Sequence, residues 1–470
     1  MAVRTRQEVS ARFVQELRQR VAPERVYTDW AVLQSYGYDG TAGYRALPQV
    51  VVLPERTEEV VAVARLCYEE GVPITPRGAG TNLSGGTIPV EAGVVIGFSR
   101  MQRIHHIDLA NQTAQAEPGV ITDRFHQAVE AQGLFYPPDP SSQSVSTLGG
   151  NVAENAGGLR GLKYGVTRDY VLGMEAVLAD GTVLSVGGET LKNVAGYSVT
   201  QLLTGSEGTL ALFTRLVLRL VPKPADRRSF LAFYNDLSAA AQTVPTLIAG
   251  GVLPATLEIM DQITLQCVEE YAHLGLPTDS AALLLIEVDG QPAQVQAEAA
   301  QVEAVLQKQP HITEWHAARD EQERDRAWAA RRAALAALSR RRPTTVIEDA
   351  TVPRRQLPEM FKQIHRVAQQ YQLPIGTFGH AGDGNLHPTI LCDLRDADEV
   401  RRVEAAVDAL FHAALALGGT LSGEHGIGLA KNRFLHLQLG EAGVQLQRRI
   451  KEVFDPKGLL NPGKALGVIP

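Results

Sequence analysis

Two short segments in the second half of the chain place histidine and acidic residues at close spacing. The first, residues 379–387, reads GHAGDGNLH and contains His380 and His387. The second, residues 422–428, reads SGEHGIG and sets Glu424 beside His425. Two imidazoles and a carboxylate are a common ligand set for a divalent metal that keeps open coordination positions. His380, His387 and Glu424 are therefore candidate metal ligands, and His425 is a candidate general base.

The spacing of the two histidines predicts a hairpin. Strand-like residues flank the first segment at 373–378 and 388–392, and Asp383-Gly384 is the preferred dipeptide of a two-residue hairpin turn. Such a turn opposes His380 and His387 on one face, with Cβ atoms about 5 Å apart. Alternatively, each histidine could have a purely structural role with its hydrogen bonds satisfied by the protein, and Glu424 could be an acidic residue in the first turn of a helix. The sequence leaves both interpretations open.

A glycine-rich loop lies near the start of the chain. Residues 76–82 read PRGAGTN, and Ser84-Gly85-Gly86 follows. A loop of this kind exposes consecutive backbone N–H groups that can bind an anion such as phosphate. The pattern is not a dinucleotide fingerprint, because Leu83 fills the place of the third glycine. A tight surface turn is the alternative interpretation.

A second glycine-rich stretch has few large apolar side chains. PPDP at 137–140 precedes TLGGNVAENAGG at 147–158 and KYG at 163–165. Such residues cannot fill a core by themselves, and they suit a flat, rigid ligand lying against backbone. A buried loop packed on its own domain is the alternative, but it leaves many N–H groups in need of acceptors.

The elements around these loops predict two kinds of domain. A strand at 49–53, a helix over 57–70 and strands at 74–75 and 94–96 make a β-α-β unit with the first loop at a strand's carboxyl end, where α/β folds bind ligands. Two prolines at 221–226 mark a boundary. Strands follow at 230–233, 256–259, 282–288 and 345–347, separated by helices, and they predict an α+β domain on an open antiparallel sheet.

Composition excludes several classes of protein. The chain has 470 residues, a net charge of −7 and three cysteines, Cys67, Cys267 and Cys392, which are far apart. The acidic balance argues against a nucleic-acid partner. The cysteines exclude a disulfide framework and a Cys₄ iron–sulfur cluster within this chain, and they favour the cytoplasm. The first 20 residues predict an amphipathic helix, not a signal peptide, and no apolar run is long enough to span a membrane.

Five motifs in order resemble one enzyme family. PRGAGTNLSGG, PPDPSS, TLGGNVAENAGG, KYG and LKNVAGYSVTQLLTGSEGTL are similar to the FAD-binding domain of the p-cresol methylhydroxylase (PCMH) and vanillyl-alcohol oxidase superfamily. Within it the chain most resembles the group of the GlcD subunit of glycolate oxidase, D-lactate dehydrogenase and D-2-hydroxyglutarate dehydrogenase. The resemblance implies a PCMH-type FAD-binding domain of two α/β subdomains and a C-terminal α+β substrate or cap domain with an antiparallel sheet.

The resemblance also implies roles for individual residues. The HxGDGNxH and GEHGxG motifs of the family are its metal and catalytic motifs, which implies Zn, Mn or Fe on His380, His387 and Glu424. Members that bond FAD covalently carry histidine where Thr81 stands here, so non-covalent FAD is implied. The implied cofactor-binding residues are Pro76, Arg77, Gly78, Ala79, Gly80, Thr81, Asn82, Pro140, Thr147, Gly149, Gly150, Asn151, Ala153, Asn155, Gly158, Tyr164, Gly165, Gly205, Glu207, Gly208 and, in the terminal LNPGK segment, Asn461.

One arginine is implied to hold the substrate. The family places a substrate-carboxylate arginine in a W-x-x-R pattern, which here matches Trp328 and Arg331. A planar guanidinium suits a carboxylate bidentately. Members that act on larger diacids carry a lysine shortly before a D-x-x-x-P stretch, whereas Ile347-Glu348 precedes Asp349 here. The departure favours a small monoacid.

The sequence thus predicts FAD- and metal-dependent oxidation of a small D-2-hydroxy acid, glycolate or D-lactate, to the 2-oxo acid. The alternatives are a D-2-hydroxyglutarate dehydrogenase, a flavin subunit inactive alone, a metal hydrolase, and non-redox use of FAD as in alkyl-dihydroxyacetonephosphate synthase. Electrons would leave to a quinone, or to FAD-bearing and iron–sulfur partner subunits, with the chain cytoplasmic or peripheral to a membrane through those partners. The predicted domains are 1–222 (FAD), 223–417 (substrate or cap) and 418–470, which returns to the FAD domain with GEHG.

Overall fold

The computed structural model describes residues 8–466; the first seven and last four residues of the predicted domains lie outside the described residues. Its strands are β1 Val26–Tyr27, β2 Val50–Val52, β3 Ile74–Arg77, β4 Val94–Gly97, β5 Ile104–Asp108, β6 Thr113–Ala116, β7 Leu134–Phe135, β8 Val171–Val177, β9 Val183–Gly187, β10 Leu212–Arg219, β11 Val221–Pro222, β12 Asp226–Tyr234, β13 Thr256–Asp261, β14 Ala282–Gly290, β15 Ile312–Ala317, β16 Thr344–Ile347, β17 Ala350–Thr351, β18 Ile375–His380 and β19 Asn385–Cys392.

Helices connect most of these strands. They are α1 Ala11–Arg20, α2 Trp30–Ser35, α3 Thr57–Glu70, α4 Thr122–Glu130, α5 Leu148–Glu154, α6 Gly161–Tyr164, α7 Val199–Leu203, α8 Leu237–Ala249, α9 Gln262–Ala272, α10 Pro292–Leu306, α11 Glu321–Arg332, α12 Ala334–Leu338, α13 Leu357–Tyr371, α14 Ala397–Ala416 and α15 Leu435–Phe454, which is broken at Gly440. None of the helices among residues 8–466 combines the length and the apolar content that a bilayer crossing needs.

The chain divides into two compact units. Unit 1 contains the described residues up to Ala156, Val166–Lys223 and the described residues from Glu424 onward. Unit 2 contains Gly157–Gly165 and Pro224–Gly423. This division does not test the predicted domain boundaries at 222 and 417, which stay a prediction.

Unit 1 contains the predicted β-α-β unit. Strands β2, β4 and β3 pair in parallel, and α3 connects β2 to β3. Glu58 and Glu59 lie in the first turn of α3, where acidic groups are favourable, and Gly71 ends the helix in the left-handed conformation. Residues 78–82 begin where β3 ends, so the glycine-rich loop lies at a strand's carboxyl end as predicted. A second, five-stranded sheet runs β5-β6-β10-β8-β9 with antiparallel pairs.

The amphipathic N-terminal helix is confirmed within the described residues. Helix α1 buries Phe13 and Leu17 in the unit 1 core with residues of α3 and the first sheet. The backbone beside β3 is occupied by the C-terminal segment, because Ile74 accepts a hydrogen bond from the N–H of Asn461 at 2.7 Å and donates one to Leu459 at 2.8 Å.

Unit 2 is the predicted α+β domain on an antiparallel sheet. Its strands run β15-β12-β14-β13-β18-β19-β16, with β17 beside β19, and every pair is antiparallel. A core cluster joins sheet residues such as Phe378 and Leu283 to Trp328 of α11 and Leu338 of α12. The helices on this face therefore pack directly against the strands that carry the histidines.

The β18–β19 hairpin departs from the predicted two-residue turn. His380 pairs with Asn385 and Phe378 pairs with His387, so residues 381–384 connect the strands and the predicted pairing of His380 with His387 is wrong. Gly382 donates its N–H to the carbonyl of Leu257 at 3.0 Å, and this bond holds the connection open beyond a tight turn. The register differs from the prediction by two residues. An even shift keeps both histidines on one face of the sheet.

The hairpin turn depends on Gly384, and Gly384→Ala should destabilise unit 2 by about 2–4 kcal/mol. Gly384 has φ +87°, and a Cβ there would lie 2.1 Å from the carbonyl oxygen of Val352. Gly275→Ala is the matched control, since Gly275 has φ +77° and nothing within 4 Å of its Cβ position. The control should cost only the conformational term of about 1 kcal/mol. Urea unfolding followed by tryptophan fluorescence measures both; equal losses would contradict a clash at Gly384.

Candidate active site

The two histidines of the first motif lie side by side in unit 2. His380 ends β18, His387 lies on β19, and each is 3% exposed. Their ring centroids are 5.2 Å apart with the planes at 87°. A ring nitrogen of His380 lies within 4.8 Å of a ring nitrogen of His387. Two nitrogens that bind one ion at about 2.1 Å each lie at most about 4.2 Å apart, so this separation is close to what a shared ion requires. The pair could therefore supply two ligands to one ion.

A buried glutamate holds His380. Oε1 of Glu258 lies 2.8 Å from Nδ1 of His380, and Glu258 is 1% exposed. Glu258 lies on β13 one position beyond the paired Ile259 and Gly379, which places it across from His380 on the neighbouring strand. The sequence prediction missed this residue. Its signal was a charged residue between Leu257 and Ile259 in a strand, where a buried charge requires partners.

The same glutamate also contacts the predicted substrate arginine. Arg331, 1% exposed, forms an ion pair through Nη2 with Oε2 of Glu258 at 2.5 Å. Its guanidinium lies over the ring of Phe378 at 4.7 Å from the centroid. Nε of Arg331 has no hydrogen-bond partner among residues 8–466. The structure thus brings Arg331 and His380 together, and at least one buried donor remains for a ligand.

Helix α11 presents Arg331 to the sheet because Trp328 fixes it. Nε1 of Trp328 donates to Oε2 of Glu287 on β14 at 3.0 Å, and the ring is buried in the unit 2 core. Asp320 caps the start of the helix by accepting from the N–H of Glu323 at 2.8 Å. The W-x-x-R spacing puts the tryptophan and the arginine one turn apart on the buried face.

A second buried acid fixes the backbone just before the GEHG motif. Asp349, which is fully buried, accepts from Oγ of Ser422 at 2.6 Å and from the N–H of Gly423 at 2.8 Å. One of its carboxylate oxygens lies within 4.8 Å of a ring nitrogen of His387. Glu424 is the next residue along the chain and begins the last segment of unit 1. The ligand set of His380, His387 and Glu424 stays a prediction, and so does the role of His425.

Within unit 1, Glu207 organises the backbone that follows His425. Its two carboxylate oxygens accept from the N–H groups of Ile427 and Gly428, each at 2.7 Å. Burial raises the pKa of Glu207, and these two N–H groups partly offset the rise. Glu207 was predicted to bind the cofactor. Its side chain accepts from the loop that follows His425, and its role in cofactor binding stays a prediction.

A third buried acid lies against the same loop. Gly426 has φ +83°, and a Cβ there would lie 2.4 Å from Oε2 of Glu154, so a larger residue would require this carboxyl group to shift. Burial, and then the neighbouring Glu207, raise the pKa of Glu154 well above its usual value. Glu154 lies in the 147–158 window but was not among the residues predicted individually to bind the cofactor. The glycine at 426 therefore serves close packing against an acid.

The loop at 78–82 has the features of an anion site. Within the described part of the chain, none of its five backbone N–H groups donates to another protein group. Arg77 is buried beside the loop and donates through Nη1 to the carbonyl of Tyr38 at 2.6 Å. A Cβ on Gly80, which has φ +71°, would lie 2.2 Å from Nη2 of Arg77. Residues 78–82 are partly or fully exposed, and N–H groups that no protein group accepts can bind an anion such as the pyrophosphate of a dinucleotide.

The predicted cofactor windows of unit 1 meet one another. A Cβ on Gly78 would lie 2.4 Å from Oγ1 of Thr147, and one on Gly208 would lie 2.4 Å from Pro76. The N–H groups of Gly205 and Glu207 donate to the carbonyls of Val152 and Ala153, at 2.9 and 2.8 Å. Windows that are far apart in sequence, 76–82, 147–155 and 205–208, thus line one region of unit 1. Their mutual contact fits a single ligand that touches all three.

Several predicted residues are occupied with protein contacts. Asn461 donates through Nδ2 to the carbonyls of Glu207 at 2.7 Å and Gly86 at 2.9 Å, and its Oδ1 accepts from Lys464. Gly158, Tyr164 and Gly165 belong to unit 2, where the Tyr164 hydroxyl donates to Asp289 at 2.8 Å. Pro140 lies buried in the loop between β7 and α5.

Comparison with known proteins agrees with this geometry. Residues 48–187 match the family model described as "FAD binding domain", and residues 223–465 match "FAD linked oxidases, C-terminal domain". The fold resembles p-cresol methylhydroxylase with substrate bound, with a TM-score of 0.80 over 97% of this chain and 96% of that chain at 18% identity. That likeness shows the PCMH-type fold.

Two curated relatives match along nearly the whole chain. The glycolate oxidase subunit GlcD of Bacillus subtilis is 50% identical, covering 91% of each chain. The D-lactate dehydrogenase of Anaerostipes hadrus is 35% identical, covering 94% of this chain and 95% of the relative. The glycine-rich windows, the His-containing hairpin and these relatives lead to one conclusion: the chain belongs to the FAD-linked oxidases and is an FAD-dependent oxidoreductase.

Proposed function

We propose that this oxidoreductase converts a small D-2-hydroxy acid, glycolate or D-lactate, to the 2-oxo acid. The observation that carries the proposal is the buried group of Arg331, Glu258 and His380 in unit 2. It sets a guanidinium suited to a carboxylate beside an imidazole suited to a metal. The names of the relatives, a glycolate oxidase subunit and a D-lactate dehydrogenase, support this substrate class.

Each side chain has a proposed task. Arg331 binds the substrate carboxylate and fixes the orientation of the α-carbon. His380, His387 and Glu424 hold a divalent ion, Zn, Mn or Fe, and His425 takes the proton of the substrate hydroxyl. When bound, the ion would lower the pKa of the hydroxyl, and non-covalent FAD would supply the hydride acceptor. The buried setting of the two histidines supports ion binding, because water competes little there for the ligand atoms.

The cofactor is proposed to bind along the three windows of unit 1 that meet. The backbone N–H groups of 78–82 would hold the pyrophosphate, and residues 147–158 with 205–208 would line the flavin and adenine. Pro140, Tyr164, Gly165 and Asn461 remain proposed contacts. The division into an FAD domain, a substrate or cap domain and a returning C-terminal segment remains part of the proposal.

A small substrate is favoured over a diacid. Glu348 directly precedes Asp349 and is buried, with 7% of its surface exposed. Negative charge here would repel a second substrate carboxylate, and no lysine stands at this place. A D-2-hydroxyglutarate dehydrogenase is therefore the second candidate, separated from the first by the acid that reduces the flavin.

Electrons are proposed to leave to a partner or a quinone. Relatives named as glycolate oxidase subunits support the existence of partner subunits. We propose that one such partner bears FAD and another an iron–sulfur cluster. The three cysteines of the chain are buried, and burial raises the pKa of each thiol. We propose a cytoplasmic protein, or one held at a membrane through such partners.

The substrate proposal predicts which acids bleach the flavin. In anaerobic mixing of the purified protein, glycolate and D-lactate should remove the flavin absorbance, whereas L-lactate and D-2-hydroxyglutarate should react at least about 100-fold more slowly, because each misplaces the α-hydrogen or leaves a carboxylate unpaired. Stopped-flow absorbance measures the rates. Faster reduction by the diacid would select the second candidate, and no reduction by any acid would favour a subunit inactive alone.

The base assignment predicts the effect of His425→Ala. Flavin reduction by D-lactate should fall by about 100-fold or more, because the hydroxyl proton has no acceptor, while FAD stays bound. His412→Ala is the control, since His412 is exposed on α14 and its Nδ1 hydrogen-bonds to the carbonyl of Asp408 in the same helix. Normal reduction in His425→Ala with full FAD content would remove this residue from the mechanism.

A further inference from the structure

We propose that Glu258 is a positioning residue that joins the substrate anchor to the metal site. One oxygen fixes the tautomer of His380, and the other fixes Arg331. The inference rests on the proposed function of those two residues and extends it to a residue whose role no sequence motif indicated. It predicts that the identity of residue 258 controls metal affinity.

The geometry places Glu258 between its two partners. Oε1 lies 2.8 Å from Nδ1 of His380, and Oε2 lies 2.5 Å from Nη2 of Arg331. The exposures of Glu258, Arg331 and His380 are 1%, 1% and 3%, so water does not compete for these contacts. Glu258 and His380 lie on adjacent strands, β13 and β18, which limits the freedom of both backbones.

The contact with His380 selects a tautomer. A carboxylate only accepts hydrogen bonds, so Nδ1 of His380 must carry the proton that it donates to Glu258. Nε2 then keeps its lone pair for a metal. A carboxylate that accepts from a ligating histidine also raises the basicity of the ligand nitrogen. Loss of such a partner typically lowers metal affinity by about 10–100-fold, and we expect a loss of this size for residue 258.

The contact with Arg331 fixes the second partner. Nη2 forms an ion pair with Glu258, and Cζ lies over the ring of Phe378, 4.7 Å from its centroid. These two contacts restrict the movement of the guanidinium group, whose Nε has no partner among residues 8–466. One carboxylate thus sets the spacing between a bound substrate carboxylate and a metal on His380.

Replacing Glu258 by glutamine should invert the tautomer. Arginine has only donors, so the amide oxygen of the introduced side chain must face Arg331. The amide NH₂ then faces Nδ1 of His380, which must accept, and the ring proton moves to Nε2. A glutamine of almost identical shape would therefore remove the lone pair that the metal needs.

The test compares metal affinity in Glu258→Gln and Glu258→Asp. Metal-free protein with FAD bound is titrated with Zn²⁺ against a chromogenic chelator. Glu258→Gln should lose affinity by about 10–100-fold, and Glu258→Asp, which keeps an acceptor-only carboxylate, should lose less. A packing role predicts the opposite order, because glutamine preserves the volume and aspartate does not. That order, or equal affinity in Glu258→Gln and the unchanged protein, would overturn the proposal.

Two controls complete the test. Glu287→Gln should leave the affinity unchanged, because Glu287 accepts from Trp328 and Ser229 and a glutamine oxygen can accept from both. Long-range ¹H–¹⁵N spectra of the metal-free, unsubstituted protein, with His380 assigned through His380→Gln, should show the proton on Nδ1; a proton on Nε2 would overturn the proposal even if Glu258→Gln does not fold. If the unsubstituted protein itself binds no Zn²⁺, the metal assignment of the proposed function fails instead.

Discussion

A single buried carboxylate constrains the arrangement of unit 2. Glu258 lies in a strand whose residues are nearly all buried, and an isolated charge there would cost several kcal/mol of desolvation. Arg331 and His380 offset that cost, so helix α11 has to present an arginine and β18 has to end in a histidine at this place. Removing one partner of such a pair costs about 3–5 kcal/mol, because the other charge is left buried. Folding and ligand chemistry therefore depend on the same contact.

Elsewhere, buried carboxylates fix glycine-rich backbone by accepting hydrogen bonds from its N–H groups. Glycine lets a chain approach a ligand closely, but it supplies no side chain to fix the loop. Asp349 binds the N–H of Gly423 within unit 2, and Glu207 binds those of Ile427 and Gly428 within unit 1. The backbone on either side of Glu424 and His425 is thus held by carboxylates. In contrast, no acid among residues 8–466 accepts from the N–H groups of 78–82, which leaves them available for the proposed cofactor.

The sequence predicted the local elements, and it failed where contacts between distant residues determine the structure. Helix α3, the loop after β3 and the antiparallel sheet of unit 2 follow from periodicity and turn residues. The hairpin register could not be predicted in this way, because it depends on a hydrogen bond from the N–H of Gly382 to the carbonyl of Leu257, which is distant in the chain. Glu258 and the loop-holding role of Glu207 depend on tertiary contacts that no local pattern encodes. The bond from the Tyr164 hydroxyl to Asp289 also joins residues far apart in the chain, and the cofactor role of Tyr164 stays a prediction.

The four-residue connection between β18 and β19 also sets a rule for how this hairpin can change length. Side chains on a strand alternate between faces, so each residue added to or removed from 381–384 reverses the face that β19 presents relative to β18. Insertions or deletions of two residues would leave His380 and His387 on the same side, whereas a change of one would separate them. Related chains and redesigned versions should therefore tolerate length variation here only in even steps. A single inserted residue could disable the site without altering any side chain in it.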